Sequence, residues 1–308
     1  MGVAEARIAA WLLACPLAFT ADARAGFPLS EPAPGVFVHT GRHLPLDVPG
    51  HDDIANIGFI VGGKCVAVVD TGGSVGIGRR LLAAVRKHTD LPVCYVINTH
   101  VHVDHVLGNA AFSIDKPSFV GNAALLDAIA RNKDFFVKQY PSDMDAPPTR
   151  DQVIGPDRLV ERELTLDLGG RSLVLRAWPT AHTDCDLTVF DTQTRTLWTG
   201  DLLFRERLPA LDGSIKGWLS ALDELAHMKV RLAVPGHGPP THDLAAAINP
   251  ERRYLRDLVQ GIRGAIAQGK PLEEASEHVA SAEKSRWLLW DQVHPHNVVR
   301  AYQELEWD

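Results

Sequence analysis

Basic residues, cysteines and long apolar runs are all scarce in this 308-residue sequence. Lysine and arginine number 31 against 38 acidic residues, which gives a net charge of −7. A nucleic-acid partner is therefore not expected, because phosphate binding depends on a basic surface. Beyond the N-terminal region, no segment approaches the roughly 20 consecutive apolar residues that a transmembrane helix needs. The 45% hydrophobic content is ample for one large domain or two small ones.

Residues 1–25 have the pattern of an export signal peptide. Arg7 supplies a basic start, residues 8–19 are an apolar stretch, and Ala23-Arg24-Ala25 has the small residues of a cleavage site. Two alternatives stay open: a lipoprotein site at Leu12-Leu13-Ala14-Cys15, and an ordinary cytosolic N-terminus. Cleaved export is favoured, which predicts a periplasmic protein.

The exported chain would keep three cysteines, Cys65, Cys94 and Cys185. Their number is odd and their spacing shows no pairs, so no disulfide framework is predicted. Cys65 and Cys94 lie in runs typical of buried strands, where a free cysteine packs as a small apolar residue.

Two halves of the chain repeat one order of elements: strands, a helix and another strand. In the first half, β-branched runs precede a helical pattern over residues 74–88 and a strand over 93–97. In the second half, short strands between residues 164 and 198 precede a helix over 217–227 and a strand over 232–234. This order predicts an α/β fold, a four-layer α/β/β/α sandwich with two packed mixed sheets.

The domain organisation follows from the same pattern. Residues 26–249 are predicted to form the sandwich, and residues 250–308 a charged helical extension packed on the same domain. Residues 122–130 add a further helix. The polar, proline-bearing segment 131–160 is predicted to be a flexible segment or a lid.

A dense cluster of potential metal ligands follows the strand that ends at Ile97. The run His100-Val101-His102-Val103-Asp104-His105 holds three imidazoles and one carboxylate. Imidazole is the commonest neutral metal ligand in proteins. A loop that leaves a strand end and turns sharply brings such side chains to one point. The run therefore predicts a metal site by itself.

Three later residues share a placement at or just beyond predicted strand ends. They are His182 after Pro179-Thr180-Ala181, Asp201 after Trp198-Thr199-Gly200, and His237 after Val234-Pro235-Gly236. Ligands held by rigid strands suit a site of fixed geometry. A lone histidine after a strand is more often a surface residue, so these three count as ligands only together with the first cluster.

With these motifs the chain resembles the metallo-β-lactamase-fold superfamily of hydrolases over roughly residues 34–245. The shared motifs, in the family's order, are Val68-Val69-Asp70-Thr71-Gly72, the H-x-H-x-D-H loop, His182, Gly200-Asp201 and Gly236-His237-Gly238. The resemblance implies two metals, one held by His100, His102 and His182 and the other by Asp104, His105 and His237. It also implies that Asp201 bridges them. Asp70 would orient a ligand histidine, and a strand-ending turn residue is its alternative interpretation.

The implied ligand set suits hydrolysis. Two metals joined by a carboxylate leave net positive charge to hold a bridging hydroxide, since each metal lowers the pKa of bound water towards about 7. The metals would also polarise a substrate oxygen, and Asp104 is the candidate catalytic residue that passes a proton to the leaving group. Zinc is the default metal for nitrogen-rich ligation, and iron or manganese accept the same ligands.

Finer features are similar to the exported zinc metallohydrolases associated with quinoprotein relay systems. They lie in residues 53–62, 181–189, 200–204, 211–214 and 297–307. This resemblance implies a periplasmic enzyme with a small-molecule substrate and a functional link to quinone-cofactor dehydrogenases.

The residue at position 201 bears on the substrate. Superfamily β-lactamases generally have cysteine or serine near the place of Asp201, so an ester, thioester or lactone-type substrate is expected. The alternatives are β-lactam hydrolysis, an iron-dependent sulfur dioxygenase reaction, and a non-catalytic accessory role that keeps the metals.

Three other polar segments have two interpretations each. His294 and His296 are either an exposed pair on a terminal helix, which is favoured, or residues at the mouth of the site. His51 and Asp52 lie in an ordinary loop or in a mobile loop over the metals. Asp212-Gly213-Ser214 lines the cleft or forms a plain turn.

Overall fold

The computed structural model describes residues 27–307, without the side chains of residues 275–277. The signal-peptide prediction for residues 1–25 therefore lies outside the described residues. Within the part of the chain that is described, no helix combines the length and apolar character required to cross a membrane.

Over these residues the chain forms strands and α-helices in the alternating order expected of an α/β protein. The strands are β1 (Ser30–Ala33), β2 (Val36–His39), β3 (Ile57–Val61), β4 (Val66–Val69), β5 (Val93–Ile97), β6 (Ser118–Asn122), β7 (Arg158–Val160), β8 (Glu163–Asp167), β9 (Ser172–Ala177), β10 (Leu187–Asp191), β11 (Thr196–Phe204) and β12 (Leu232–His237). The helices are α1 (Val75–His88), α2 (Val103–Val106), α3 (Ala123–Gln139), α4 (Ile215–Leu225), α5 (Leu244–Ala267), α6 (Leu272–His278) and α7 (Trp290–Leu305). Short 3₁₀ segments span Leu107–Asp115, Pro141–Asp143, Arg150–Gln152 and Ser281–Arg286.

The strands form two mixed sheets. The first has seven strands in the order β1 to β7; neighbours are antiparallel from β1 to β4 and parallel from β4 to β7. The second has five strands in the order β12-β11-β10-β9-β8. In it β11 and β12 run parallel and the other neighbours antiparallel.

Buried side chains show how the layers stack. Ile60 of the first sheet and Leu175 of the second pack between the two sheets. Successive side chains of a strand point to opposite faces, and Phe59 accordingly packs on the outer face against Leu81 of α1. The outer face of the second sheet is covered by helices, with Trp218 of α4 at the centre of that cluster. The predicted four-layer α/β/β/α fold is confirmed.

Helix α3 is longer than predicted. Its start agrees with the sequence pattern, because the Asn122 side chain caps it by accepting a hydrogen bond from the backbone N–H of Ala124. Its end lies at Gln139, since Phe136 continues the buried face that begins at Leu125. The segment 131–160, which the sequence predicts to be a flexible segment or a lid, therefore contributes residues 131–139 to helix α3 and its last residues to β7.

The C-terminal helices share one core with the second sheet. Leu255 of α5 and Val298 of α7 are fully buried in the cluster that contains Trp218 and Leu203. Residue 250, where the sequence pattern changes, lies inside α5. The chain therefore continues from the sandwich into its last helices without a break at that position.

Cys65 and Cys94 form a disulfide, which corrects the prediction that both are free. Cys65 immediately precedes β4 and Cys94 lies in β5, its parallel neighbour, with Val66 opposite Val93. The two Cα atoms are 5.7 Å apart, within the range that a disulfide requires. Spacing along the chain did not reveal the pair, because helix α1 separates the two strands in sequence and the sheet alone brings them together. Cys185 is free and buried.

We expect loss of this disulfide to destabilise the protein. The bond closes a loop between residues 29 positions apart, so the Cys65→Ala/Cys94→Ala variant should lose about 3 kcal/mol of unfolding free energy, measured by urea titration. Alkylation of the denatured wild type, read by peptide mass spectrometry, should label Cys65 and Cys94 only after reduction. Labelling of both without reductant would show that the pair is not bonded.

Candidate metal centre

The run from His100 to His105 leaves the first sheet where β5 ends. Helix α2 begins at Val103, so Asp104 and His105 project from its first turn, and the backbone N–H of His105 donates to the carbonyl of His102 at 3.0 Å. This hydrogen bond closes the sharp turn on which the sequence prediction depends. Asp104 and His105 are buried, and the side chain of His102 is 27% exposed.

Asp70, directly after β4, anchors this loop. Its carboxylate accepts hydrogen bonds from the backbone N–H and the hydroxyl of Thr99, both at 2.8 Å, and from Nδ1 of His105 at 2.8 Å. Its φ of +54° lies in the left-handed region, which aspartate adopts more readily than most residues. When Nδ1 of a neutral His105 donates to Asp70, the lone pair of Nε2 is left for a metal. This contact is the one that the family resemblance implies for Asp70.

The other three candidates come from the second sheet. His182 lies in the loop between β9 and β10, and His237 is the last residue of β12, as predicted. Asp201 lies inside β11, so its predicted position at a strand end is wrong. The pairing of β11 with β12 is irregular on both sides of Gly200, and such irregularities re-aim a side chain. Gly200 has a φ of +52°, and a Cβ there would lie 2.6 Å from Cβ of Thr99, so glycine is required at this point.

Three imidazole nitrogens converge in the first group. Nδ1 of His102 lies 3.0 Å from Nε2 of His100 and 3.0 Å from Nε2 of His182. The opposite ring nitrogens are engaged elsewhere. That of His182 donates to a backbone carbonyl at 2.7 Å, that of His100 lies 3.0 Å from the Thr99 hydroxyl, and that of His102 lies 2.7 Å from Oδ2 of Asp212. Neutral rings bonded in this way point bare lone pairs at one another, an arrangement that fits a cation between them.

Asp201 lies between this group and a second one formed by Asp104, His105 and His237. Its Oδ2 is 3.2 Å from Nε2 of His237 and 3.5–3.7 Å from two nitrogens of the first group, and its Oδ1 is 3.2 Å from Nε2 of His105. Within each group the potential ligand atoms lie within 4.8 Å of one another. Nε2 of His105 and Oδ1 of Asp201 are buried without a hydrogen-bond partner in the described part of the chain. The structure thus brings all seven candidates together in an arrangement able to bind metal ions.

The protonation states of His100, His182 and Asp201 agree with this arrangement. For His102 and His105, burial by itself lowers the pKa, but the neighbouring carboxylates raise it overall. Burial, and then the neighbouring imidazole of His102, lowers the pKa of His182 to about 4, and burial holds the pKa of His100 well below its ordinary value. Burial by itself raises the pKa of Asp201, but the surrounding histidines hold it well below its ordinary value. Neutral imidazole and ionised carboxylate are the forms that bind metals.

Comparison with known proteins places this arrangement in a family. The family model of the metallo-β-lactamase superfamily matches residues 51–237, which is more than half of the chain and includes all seven candidates. The chain belongs to the metallo-β-lactamase superfamily. Its members form a superfamily of metal-dependent hydrolases, so the coarse chemistry expected from the sequence is confirmed.

Solved structures of this superfamily share the fold at low sequence identity. The sec-alkylsulfatase Pisa1 from Pseudomonas sp. has a TM-score of 0.67 and 16% identity, over 89% of this chain and 49% of that chain. A metallo-β-lactamase family protein from Thermus thermophilus has a TM-score of 0.62 and 20% identity, over 89% of this chain and 93% of that chain. A metallo-β-lactamase from Pontibacter korlensis has a TM-score of 0.61 and 19% identity, over 75% and 99%.

A curated relative matches over a short stretch. The linear primary-alkylsulfatase of Pseudomonas sp. (strain ATCC 19151) is 47% identical over 45 residues, which are 15% of this chain and 8% of that protein. This chain also spans about half the length of the structurally similar sec-alkylsulfatase. These likenesses therefore establish the superfamily fold and not a shared activity.

An open cavity of about 650 Å³ leads to the candidate metal ligands of this superfamily member. His102, Asp104, Asp201 and His237 line it. Its wall is largely apolar, with contributions from Leu46, Ile54, Val101, Val103, Phe135, Phe136 and Phe204. The two adjacent phenylalanines belong to the segment predicted as a flexible piece or lid, and they form part of the wall as residues of helix α3.

The C-terminal helix α7 also reaches the site. Nε2 of His296 lies 2.7 Å from Oδ1 of Asp212, whose Oδ2 contacts the candidate ligand His102. Asp212 therefore lines the cleft, which is the first of the two interpretations of the segment Asp212-Gly213-Ser214. His294 is buried, with its Nδ1 3.0 Å from the hydroxyl of Tyr254. The favoured interpretation of an exposed histidine pair is wrong for His294, because α7 packs inward there, and it is confirmed for His296, which is exposed.

The loop at residues 51–52 is fastened at two points. Nε2 of His51 lies 2.8 Å from Oδ2 of Asp143, and Oδ2 of Asp52 accepts a hydrogen bond from the hydroxyl of Ser74 at 2.7 Å. The first contact joins the loop to the segment after α3, and the second joins it to the residue that caps α1.

Sequence reasoning missed two arginines that line the cavity, Arg207 and Arg300. Neither belongs to a recognisable motif. The available signal for Arg207 is its place three residues beyond the end of β11, the strand that carries Asp201. Arg300 lies on α7, one helical turn after His296, and no local pattern connects that helix to the site.

We expect Asp212→Asn to weaken metal binding. The amide keeps the size of the side chain but removes the negative charge that orients His102, so metal affinity should fall roughly 10- to 100-fold in competition with a chromogenic chelator. Asp184→Asn is the matched control, since Asp184 lines the same cavity but pairs with Arg131 at 2.9 Å. Equal metal affinity of Asp212→Asn and the control would contradict an orienting role for Asp212.

Proposed function

We propose that this chain is a dinuclear metal-dependent hydrolase of ester, thioester or lactone-type substrates. The observation that carries the proposal is the convergence of two ligand groups around one carboxylate. His100, His102 and His182 would hold one metal, Asp104, His105 and His237 the other, and Asp201 would contact both. The excess of nitrogen ligands favours zinc, and iron or manganese accept the same residues. Metals held there would lower the pKa of a bound water towards about 7 and polarise an ester oxygen.

The chain's own residues contribute binding and proton transfer. The apolar wall of the cavity binds the hydrocarbon part of a substrate and excludes water from it. Asp104 lines this cavity, and its Oδ2 lies 3.4 Å from Nε2 of His237. Burial by itself raises the pKa of Asp104, but His105 and His237 lower it overall. We assign Asp104, which this low pKa keeps ionised at neutral pH, the role of accepting a proton from the attacking water and passing it to the leaving group.

Two observations support an ester-like substrate. Asp201 stands near the place where superfamily β-lactamases generally have cysteine or serine. The similar proteins named as alkylsulfatases include the curated relative that is 47% identical over 45 residues, and an alkyl sulfate is an ester. β-Lactam hydrolysis is the second candidate, favoured by the fold that the chain shares with the metallo-β-lactamase from Pontibacter korlensis over 75% of its length.

We further propose that the protein acts in the periplasm alongside quinoprotein dehydrogenases. The signal-peptide pattern of residues 1–25 supports export. The disulfide between Cys65 and Cys94 supports it independently, because such bonds persist in oxidising compartments. The motifs shared with quinoprotein relay metallohydrolases support the link to those dehydrogenases.

Metal analysis and a substrate panel test the proposed activity. Protein purified from the periplasm should hold two metal equivalents. It should hydrolyse at least one compound in a panel of alkyl esters, sulfate esters, thioesters and lactones. Asp104→Asn should lower kcat by about 100-fold or more, since general acid–base catalysis contributes on the order of 10²–10⁴. Asp184→Asn should keep the wild-type rate.

Several results would overturn the proposal. Fewer than two bound metals after full loading would contradict the dinuclear site. Faster turnover of a chromogenic cephalosporin than of every ester would make the protein a β-lactamase. Bound iron with oxygen consumption in the presence of a persulfide would make it a sulfur dioxygenase. Unchanged activity of Asp104→Asn would remove that residue from catalysis.

A further inference from the structure

Arg207 is a buried cation that pairs with no carboxylate among residues 27–307. The residue is 7% exposed, and its Nε has no hydrogen-bond partner among residues 27–307. Its Nη1 lies 3.3 Å from Nδ1 of His237, but that nitrogen also lies 2.8 Å from the carbonyl oxygen of Ile54, to which it donates. Two donors therefore face each other, and the contact does not satisfy the guanidinium.

Another buried arginine shows what a structural role looks like in this protein. Arg171 is 4% exposed and donates from Nε and Nη2 to the two carboxylate oxygens of Asp191, at 3.1 and 2.6 Å. Its Nη1 donates to the carbonyl of Val61 at 2.8 Å. A buried arginine paired in this way is compensated, whereas an unpaired one is strongly unfavourable. The environment of Arg207 lacks this compensation in the described structure.

Arg300 reaches the same cavity from α7 with an unsatisfied N–H group. One terminal nitrogen donates to the backbone carbonyl of Asp212 at 2.6 Å. Its Nε is buried without a partner in the described part of the chain. Both arginines line the cavity that leads to the candidate metal ligands.

The carboxylates of the cavity wall are engaged with other groups. Asp104 and Asp201 face the ligand histidines. Asp212 contacts His102 and His296, and Asp184 pairs with Arg131. Metals held by the histidines would also be bound by Asp104 and Asp201, so the negative charge of these two carboxylates would be compensated by the metals. Asp104 and Asp201 contribute negative charge near Arg207, but none of the four carboxylates pairs with either arginine among the described residues. The cavity therefore holds guanidinium N–H groups that lack a hydrogen-bond acceptor.

We propose that Arg207, together with Arg300, is an oxyanion-recognition subsite, so that the substrate carries a sulfate or carboxylate on an apolar chain. This inference names the substrate class of the proposed hydrolase and rests on that proposal. The planar guanidinium matches the geometry of both oxyanions and donates to them in pairs. The phenylalanines and aliphatic side chains of the cavity wall would pack against the apolar chain of the substrate.

Probe binding to the metal-loaded protein tests this inference without any need for turnover. The probes are octyl sulfate, octanoate and octanol, which share a chain and differ in the head group, and calorimetry gives their dissociation constants. The wild type should bind at least one of the two anions more tightly than octanol. Arg207→Gln should weaken the binding of that anion by about tenfold to a hundredfold, as expected for the loss of hydrogen bonds to a charged group. The dissociation constant of octanol should stay unchanged. The relative affinity of octyl sulfate and octanoate identifies which oxyanion the subsite takes.

Two further variants complete the design. Arg207→Lys keeps the charge and should recover part of the lost affinity. Arg86→Gln is the matched control, since Arg86 is an exposed arginine of α1 paired with Asp115 at 2.7 Å outside the cavity, and it should bind all probes as the wild type does. Arg207→Gln should also melt at or above the wild-type temperature, because it removes a buried charge that pairs with no carboxylate in the described structure.

Two outcomes would overturn the inference. One is equal affinity of the wild type for octanol and both anions. The other is unchanged anion affinity in Arg207→Gln, including the case in which that variant melts lower and Arg207 proves to be structural. If anion binding depends on Arg207 while no ester is hydrolysed, the subsite stands and the proposed hydrolytic function fails.

Discussion

The ring nitrogens of three imidazoles, those of buried His100 and His182 and of half-buried His102, converge at distances of 3.0 Å in this protein, and hydrogen bonds from the surrounding structure hold them there. Such a cluster repels itself unless a cation lies at its centre. The histidines escape the repulsion only by turning away or by taking up protons. Hydrogen bonds on their outer nitrogens prevent the first, and burial opposes the second for His100 and His182.

The residues that hold the outer nitrogens come from widely separated parts of the chain. Asp70 after β4 holds His105, the carbonyl of Ile54 holds His237, and Asp212 holds His102. Partners of this kind fix the ring orientation and the tautomer of a ligand, and their loss typically lowers metal affinity about 10- to 100-fold. The C-terminal helix α7 takes part through His296, so the last helices of the chain belong to the same functional unit as the sandwich.

The character of the cavity follows from the same arrangement. The two sheets and the loops that leave them supply the candidate ligands, and helices α3 and α7 supply part of the wall, with apolar side chains from α3 and Arg300 from α7. Similar folds serve proteins named as alkylsulfatases and as β-lactamases, so the fold by itself leaves the substrate open. In the proposed function, the side chains of the wall, and Arg207 above all, determine which substrate class this chain accepts.

Local patterns in the sequence determined the fold class and the central cluster of candidate ligands, the run from His100 to His105. The ligands from His100 to His105 lie within one turn after a strand, and helix α1 is specified by its periodic apolar face and its capping serine. Only the tertiary structure decided which distant residues meet. It paired Cys65 with Cys94 across parallel strands, placed Asp201 inside a strand through an irregularity at Gly200, and brought Arg207 into the cavity. The reason is physical: contacts within a turn follow from neighbouring residues, whereas contacts between strands and layers depend on the packing of the whole core.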